Sequence, residues 1–241
     1  MSETLPFTID LVRPSIIQIR VGVATGPGQV IGTGFLVHSG GYALTAKHVS
    51  EAARQVVTSV EGTRVLAGLA IPNVDLPGIS MRRSFELVEC EVVQDDPRHD
   101  LALVKLSPNP FSSGKQRGIS RTADGGLAIN GLFGLAPLTT DRPRDGAAVA
   151  ISGYPLQKPV LITTAGIIAS AWETSVADIS PADAPVGFTL PDFADCYLAD
   201  VAVNPGNSGG PVYFAATGAV LGVCVSFNVA DIPDNTGARL R

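Results

Sequence analysis

Short apolar runs rich in Val, Ile and Leu recur along the chain, separated by glycine, proline and polar turn residues. In the first half they read SIIQIRVGV, GFLV, YALTA, RQVVTSV, FELVECEVV and LALVKL. A second set follows: LAINGLF, AAVAISGYPL, VLITTAGIIASAW, CYLADVAV, GPVYF and AVLGVCVSF. This pattern predicts short antiparallel strands in an all-β barrel or sandwich. VHSGGYAL reads as a hairpin whose glycines supply the turn. KHVSEAARQV is expected to hold a short helix, and little else before residue 106 does. The stretch from Ser107 to Gly126 has no apolar period and many turn residues, as a linker would. PNVDLPGISMRRS and ETSVADISPADAPVGFTLPDFAD read as surface loops. Two β units of similar size are therefore expected, over residues 1–112 and 113–241.

Composition narrows the class. The 241 residues suffice for one large domain or two small ones, and 45% hydrophobic with 16% charged residues is a globular balance. The 26 glycines and 18 prolines favour turns and short strands over long helices. A net charge of −5, with 17 scattered Lys and Arg, argues against a nucleic-acid surface. Cys90, Cys196 and Cys224 are widely spaced with no C-x-x-C pair, so free thiols are expected and no metal site is suggested. Glu3, Pro6 and Asp10 interrupt any secretory leader, and no apolar run approaches the roughly 18 to 20 residues that cross a bilayer. A cytoplasmic location without membrane contact is the expectation.

The candidate chemistry lies in NPGNSGGPV, residues 204–212. A serine hydroxyl is a weak nucleophile until a base takes its proton, so Ser208 needs a partner. Only His38, His48 and His99 exist. GNSGG also fits the nucleophile elbow of α/β-hydrolases, but that fold needs a histidine after the serine and none follows Ser208. The subtilisin order needs an aspartate before His48, where only Asp10 stands, in an N-terminus without an obvious element. The remaining order is histidine, aspartate, serine. His48 ends the strand of ALTAKHV, and Asp100 heads DLALVKL, where a carboxylate is expected to be partly buried and held by backbone donors.

LTAKHV, HDLALVKL and NPGNSGGPV, in this order, resemble the three active-site segments of trypsin-like serine proteases, and most closely the high-temperature-requirement A (HtrA) type. GTGFLV and GYPL extend the resemblance from about Ile16 to Phe227. It implies two six-stranded antiparallel β-barrels with the active site in the cleft between them. It implies Ser208 as nucleophile, His48 as general base and then acid, and Asp100 as the group that orients the imidazole. The amides of Gly206 and Ser208 would form the oxyanion hole. The substrate would be a polypeptide, with no cofactor and no metal. A protease-fold binding module or chaperone with a poorly assembled triad, or an esterase on the same site, are the alternatives.

By the same resemblance, Ala202, Val203, Val225, Ser226 and Phe227 wall the pocket for the side chain before the scissile bond. Their apolar surface, narrowed by Phe227, predicts cleavage after Ala, Val, Ile or Leu. Asn207 stands where digestive relatives carry an aspartate that pairs with a newly cut N-terminus, so activation of that kind is not expected. Asp200 is placed either beside the pocket or as a partner for a loop backbone. His38 is expected in solvent, and His99 on the surface, because neighbours on an extended segment point to opposite sides. Asp95 and Asp96 are expected to be solvated in a polar turn. TGPGQVIGTG lacks the lysine of a phosphate loop and has Ile31 in place of the last glycine of G-x-G-x-x-G, so it reads as a hairpin turn.

Overall fold

A computed structural model describes residues 4–23, 26, 28–71, 84–112, 118–121, 127–130, 133–158, 160–171, 196–225, 232–233 and 239–240. Six strands in the first half close on themselves: β1 (Ile16–Val23), β2 (Gln29–His38), β3 (Tyr42–Ala46), β4 (Thr63–Ile71), β5 (Ser84–Asp96) and β6 (Leu101–Ser107). Their order round the barrel is β1-β2-β3-β6-β5-β4, and every pair is antiparallel. Closure leaves no unpaired edge. Period-two alternation sets the interior, as in β6, where Ala102, Val104 and Leu106 are buried between less buried neighbours. Ile17, Ile19, Leu36, Leu69 and Val88 meet Val104 and Leu106 in one core.

The expected strand RQVVTSV is instead the end of a helix, α2 (Lys47–Ser59). Val49, Ser50 and Ala53 bury one face against the barrel, while Arg54, Gln55 and Thr58 are exposed. That three-to-four spacing outweighs the strand preference of Val56 and Val57. The N-terminus also departs from expectation, because Thr4–Val12 form helix α1. Leu5, Thr8 and Val12 share its inner side, and Asp10 is turned out to face Arg13 at 3.7 Å.

The second half forms a five-stranded antiparallel sheet, ordered β11-β10-β9-β12-β13. Its strands are β9 (Ala148–Gly153), β10 (Ile162–Ser170), β11 (Leu198–Asp200), β12 (Pro211–Phe214) and β13 (Val220–Val223). The all-β, two-barrel class holds, with the second unit half a barrel among the described residues. Gly118–Arg121 and Leu127–Asn130 pair as β7 and β8, so ordered structure reaches into the stretch expected to be a linker. Ile232–Pro233 and Arg239–Leu240 form a further short ladder.

A second core joins the halves. Val12 from α1, Ile16 and Phe35 from the outer face of the first barrel, and Ala150, Tyr154, Tyr213 and Val220 from the second unit pack together. Each large side chain fully buried there contributes about 1.5–3 kcal/mol. Gly218 has φ +76, and a Cβ there would lie 3.2 Å from Thr8 and 3.3 Å from Val12, so α1 rests directly on this turn.

Candidate active site

Asp100 closes the turn between β5 and β6 in a left-handed conformation, φ 52, and is 6% exposed. Its carboxylate is shared between two atoms of one residue. Oδ1 accepts the His48 amide at 2.9 Å, and Oδ2 lies 2.6 Å from His48 Nδ1. The Asp100 carbonyl accepts the Lys47 amide at 2.8 Å. The first turn of a helix leaves its amides unsatisfied, and Ala46 at the start of α2 supplies no side-chain cap. Asp100 fills that role from another element. One residue thus anchors the helix that carries His48 and fixes the ring, directing a proton onto Nδ1 and leaving Nε2 as the basic nitrogen. The His48 side chain remains 45% exposed, so the imidazole is open to a ligand.

The serine loop is shaped by glycines that cannot be replaced. Gly206 has φ +101, and a Cβ there would come 2.7 Å from the Tyr154 carbonyl. Gly209 has φ +82, and its Cβ would fall 2.1 Å from Thr33 O and 2.9 Å from Ala46 N. Because Ala46 directly precedes α2, this contact seats the loop against the start of the helix that bears His48. Thr33 ties the two halves together. Its amide donates to Ser208 O at 2.9 Å and its hydroxyl donates to Gly206 O at 2.7 Å. The same hydroxyl accepts the Tyr154 amide at 2.9 Å.

Ser208 is half-buried. Among the described residues, its hydroxyl makes no hydrogen bond to His48, and the amides of Gly206 and Ser208 donate to no acceptor. The Pro205 carbonyl accepts the Leu156 amide at 2.8 Å. Since C=O and N–H point opposite ways across a trans peptide, this bond fixes the direction of the Gly206 amide. Asn207 is 1% exposed, and its Oδ1 has no partner among the described residues. A neutral amide is far less costly to bury there than an unpaired carboxylate.

Of the expected pocket residues, Ala202 is exposed and Val203 half-buried, whereas Val225 packs against the core of the first barrel. Ser226 and Phe227 lie outside the described residues. Asp200 is exposed on the edge strand β11. His38 faces solvent as expected, and its Nδ1 accepts the Gly40 amide at 3.0 Å. Three expectations need correction. His99 is not on an extended segment but in a tight turn, half-buried, with Nδ1 2.6 Å from Asp96 Oδ2. Asp96 is therefore paired rather than merely solvated, and the hydrogen bond from His99 lowers its pKa. Asp95 is likewise engaged, accepting from Arg54 at 3.3 Å. Two residues to which sequence reasoning assigns no role brace the site: Thr33, within GTGFLV, and Asp96. Among the described residues, no group of His, Cys, Asp and Glu could hold a metal ion.

A closed barrel beside a second antiparallel sheet, with a histidine–carboxylate pair on one and a glycine-framed serine on the other, defines the architecture of a two-barrel serine peptidase domain. The family profile described as trypsin-like peptidase domain matches residues 32–223, and the chain belongs to that family. It is 28% identical over 92% of its length to the magnetosome formation protease MamE of Magnetospirillum gryphiswaldense. It is 26% identical over 80% of its length to a probable periplasmic serine endoprotease, DegP-like, of Chlamydia trachomatis. The chain spans only 22% and 28% of the lengths of these two relatives. Among solved structures, Deg5 superposes with a TM-score of 0.60 at 19% identity, covering 94% of this chain and 87% of that one. The inactive form of the Rv3671c protease gives 0.56 at 22% identity, covering 95% and 84%. The likeness to an HtrA-type protease domain is thereby supported. No helix among the described residues is long and apolar enough to cross a membrane.

Proposed function

We propose that this chain is a serine endopeptidase domain that cleaves polypeptides through an acyl-enzyme. The observation that carries the reading is the double grip of Asp100 on His48, through the ring at 2.6 Å and the amide at 2.9 Å. His48 Nε2 takes the Ser208 proton as Oγ bonds to the scissile carbonyl carbon, and the carbonyl oxygen gathers negative charge. The amides of Gly206 and Ser208 stabilise that oxygen; one such donor is worth about 2.7–4 kcal/mol. His48 then protonates the leaving amine, and water repeats the sequence to release the acid. Every proton is carried by these groups, so the reading needs no cofactor.

The pocket reading assigns Ala202, Val203, Val225, Ser226 and Phe227 to the substrate side chain before the cleaved bond. Unpaired Lys or Arg would lose several kcal/mol there, while each buried methylene gains about 0.8 kcal/mol. Cleavage after Ala, Val, Ile or Leu is the expected result of peptide-library profiling, and a preference for Arg, Lys, Phe or Tyr would remove this assignment. The division into units 1–112 and 113–241 belongs to the same reading. So does a cytoplasmic location, which is read from the cysteine spacing and the apolar pattern of the sequence and stands against the periplasmic names of several relatives.

A fluorophosphonate probe tests the activity directly. Covalent labelling at Ser208, abolished in Ser208→Ala and His48→Ala, is expected. The absent bond between Ser208 and His48 favours one second reading, a protease-fold binding module with an unassembled triad. Folded protein that resists labelling yet binds unfolded polypeptide would establish that reading instead.

A further inference from the structure

The aspartate of the catalytic pair sits in a backbone conformation that L residues other than glycine rarely adopt, φ 52. Such a conformation persists only where the surroundings over-determine it. The ladder between β5 and β6 pairs Asp96 with Leu101, so only Pro97 to Asp100 make the reversal. Asp96 holds that turn from inside. Its Oδ1 accepts the amides of Arg98 at 3.0 Å and His99 at 3.3 Å, and its Oδ2 meets His99 Nδ1 at 2.6 Å. Two of these three contacts fall on the residue that precedes Asp100. Beyond the turn, Asp100 delivers its carbonyl to Lys47 and its carboxylate to His48. The chain of contacts is continuous from Asp96 to the imidazole.

We propose that Asp96 is a positioning residue for the peptidase reaction. It pins His99 and so holds Asp100 in the left-handed conformation from which the carboxylate reaches both His48 Nδ1 and the His48 amide. Asp96 touches no substrate; it acts through His99 and Asp100. This inference rests on the proposed catalytic roles of Asp100 and His48. It differs from those roles in what must be preserved at position 96, which is an acceptor for two backbone amides rather than a charge.

The test compares Asp96→Ala and Asp96→Asn with wild type, using a peptide substrate, fluorophosphonate labelling and amide hydrogen exchange on the full chain. Asp96→Ala is expected to lower kcat by about 10- to 100-fold with KM within about twofold, since a small misplacement of a catalytic group costs up to about 10²-fold. Asp96→Asn keeps an oxygen for the Arg98 and His99 amides and should recover kcat to within about fivefold of wild type. The amides of Lys47 and His48 should exchange at least about tenfold faster in Asp96→Ala and at the wild-type rate in Asp96→Asn. An unchanged kcat in Asp96→Ala, a loss confined to KM, or an Asp96→Asn as impaired as Asp96→Ala would overturn the proposal. If Asp96→Ala does not fold, Asp96→Asn decides: a kcat more than about tenfold below wild type overturns it. If wild type itself is not labelled, the catalytic reading fails, and the Lys47 and His48 exchange rates still show separately whether Asp96 holds the turn.

Discussion

Thr33→Val replaces a hydroxyl by a methyl of nearly the same shape at a position with 0% exposure. Two hydrogen bonds vanish: the one to the Gly206 carbonyl, 2.7 Å, and the one from the Tyr154 amide, 2.9 Å. An unsatisfied buried donor or acceptor costs about 1–3 kcal/mol. Tyr154 is 2% exposed and bears that cost, whereas Gly206 is half-buried and regains part of its loss from water. The expected destabilisation is therefore about 2–4 kcal/mol, read as a shift in the denaturation midpoint at unchanged slope. Function should fall as well, because the Gly206 carbonyl no longer anchors its loop and the Gly206 amide is left held only through the Pro205–Leu156 bond. Labelling of Ser208 by a fluorophosphonate should slow by at least about tenfold, with about 4 kcal/mol, the full worth of one oxyanion donor, as the ceiling. Thr33→Ser restores the hydroxyl and gives up one methyl, about 0.8 kcal/mol, so it should recover most of the labelling rate. A Thr33→Val protein that labels at the wild-type rate and loses less than about 1 kcal/mol would refute the reasoning.

Asp100→Asn should leave the fold intact, because an amide oxygen still accepts the His48 amide, yet lower turnover by roughly 10⁴ through the wrong imidazole tautomer; steady-state kinetics beside circular dichroism check both halves. Burial raises the Cys90 thiol from 9.0 to about 12 and Cys224 to about 11, so native protein at pH 8 should yield at most the Cys196 adduct to a thiol reagent. Those raised values stabilise the fold below the ordinary thiol pKa, and the contribution is lost as pH climbs from about 9 towards 12, visible as a falling melting temperature in that window. Gly218→Ala should cost more than Gly62→Ala by at least about 1 kcal/mol: both have φ +76, but only at Gly218 does the new methyl meet side chains, those of Thr8 and Val12. Equal midpoints for the two variants would remove the tight contact between α1 and the turn.

The pairing of His48 with Asp100 is legible in the sequence because the chemistry admits few residue types and the chain holds only three histidines, whereas the part of Ser208 is a proposal. β6 is legible for a related reason: its alternation is decided by one buried face, and no distant element has to be known. RQVVTSV is not, because its valines suit a strand equally well and only the barrel wall beneath Val49 and Ala53 selects a helix. α1 is hidden further still, since the surface that buries Thr8 and Val12 belongs to the other end of the chain. Asp96 and Thr33 look like ordinary polar residues. What they do follows from the register of the β5–β6 turn and from the seating of one half on the other, and neither is written in a local motif.

The placement of α1 also orders events during synthesis. Val12 must wait for Tyr213, 201 residues later (213 − 12), before its core nears completion. At about 5–20 residues per second, that is roughly 10 to 40 seconds on the ribosome. The first barrel needs nothing beyond Ser107 to close its ladders and can form in the meantime. Through that interval Val12 and Leu5 have, of that core's buried residues, only Ile16, Val30 and Phe35 of the first half to pack on. A chain cut short before Val220 therefore lacks part of the surface on which α1 docks.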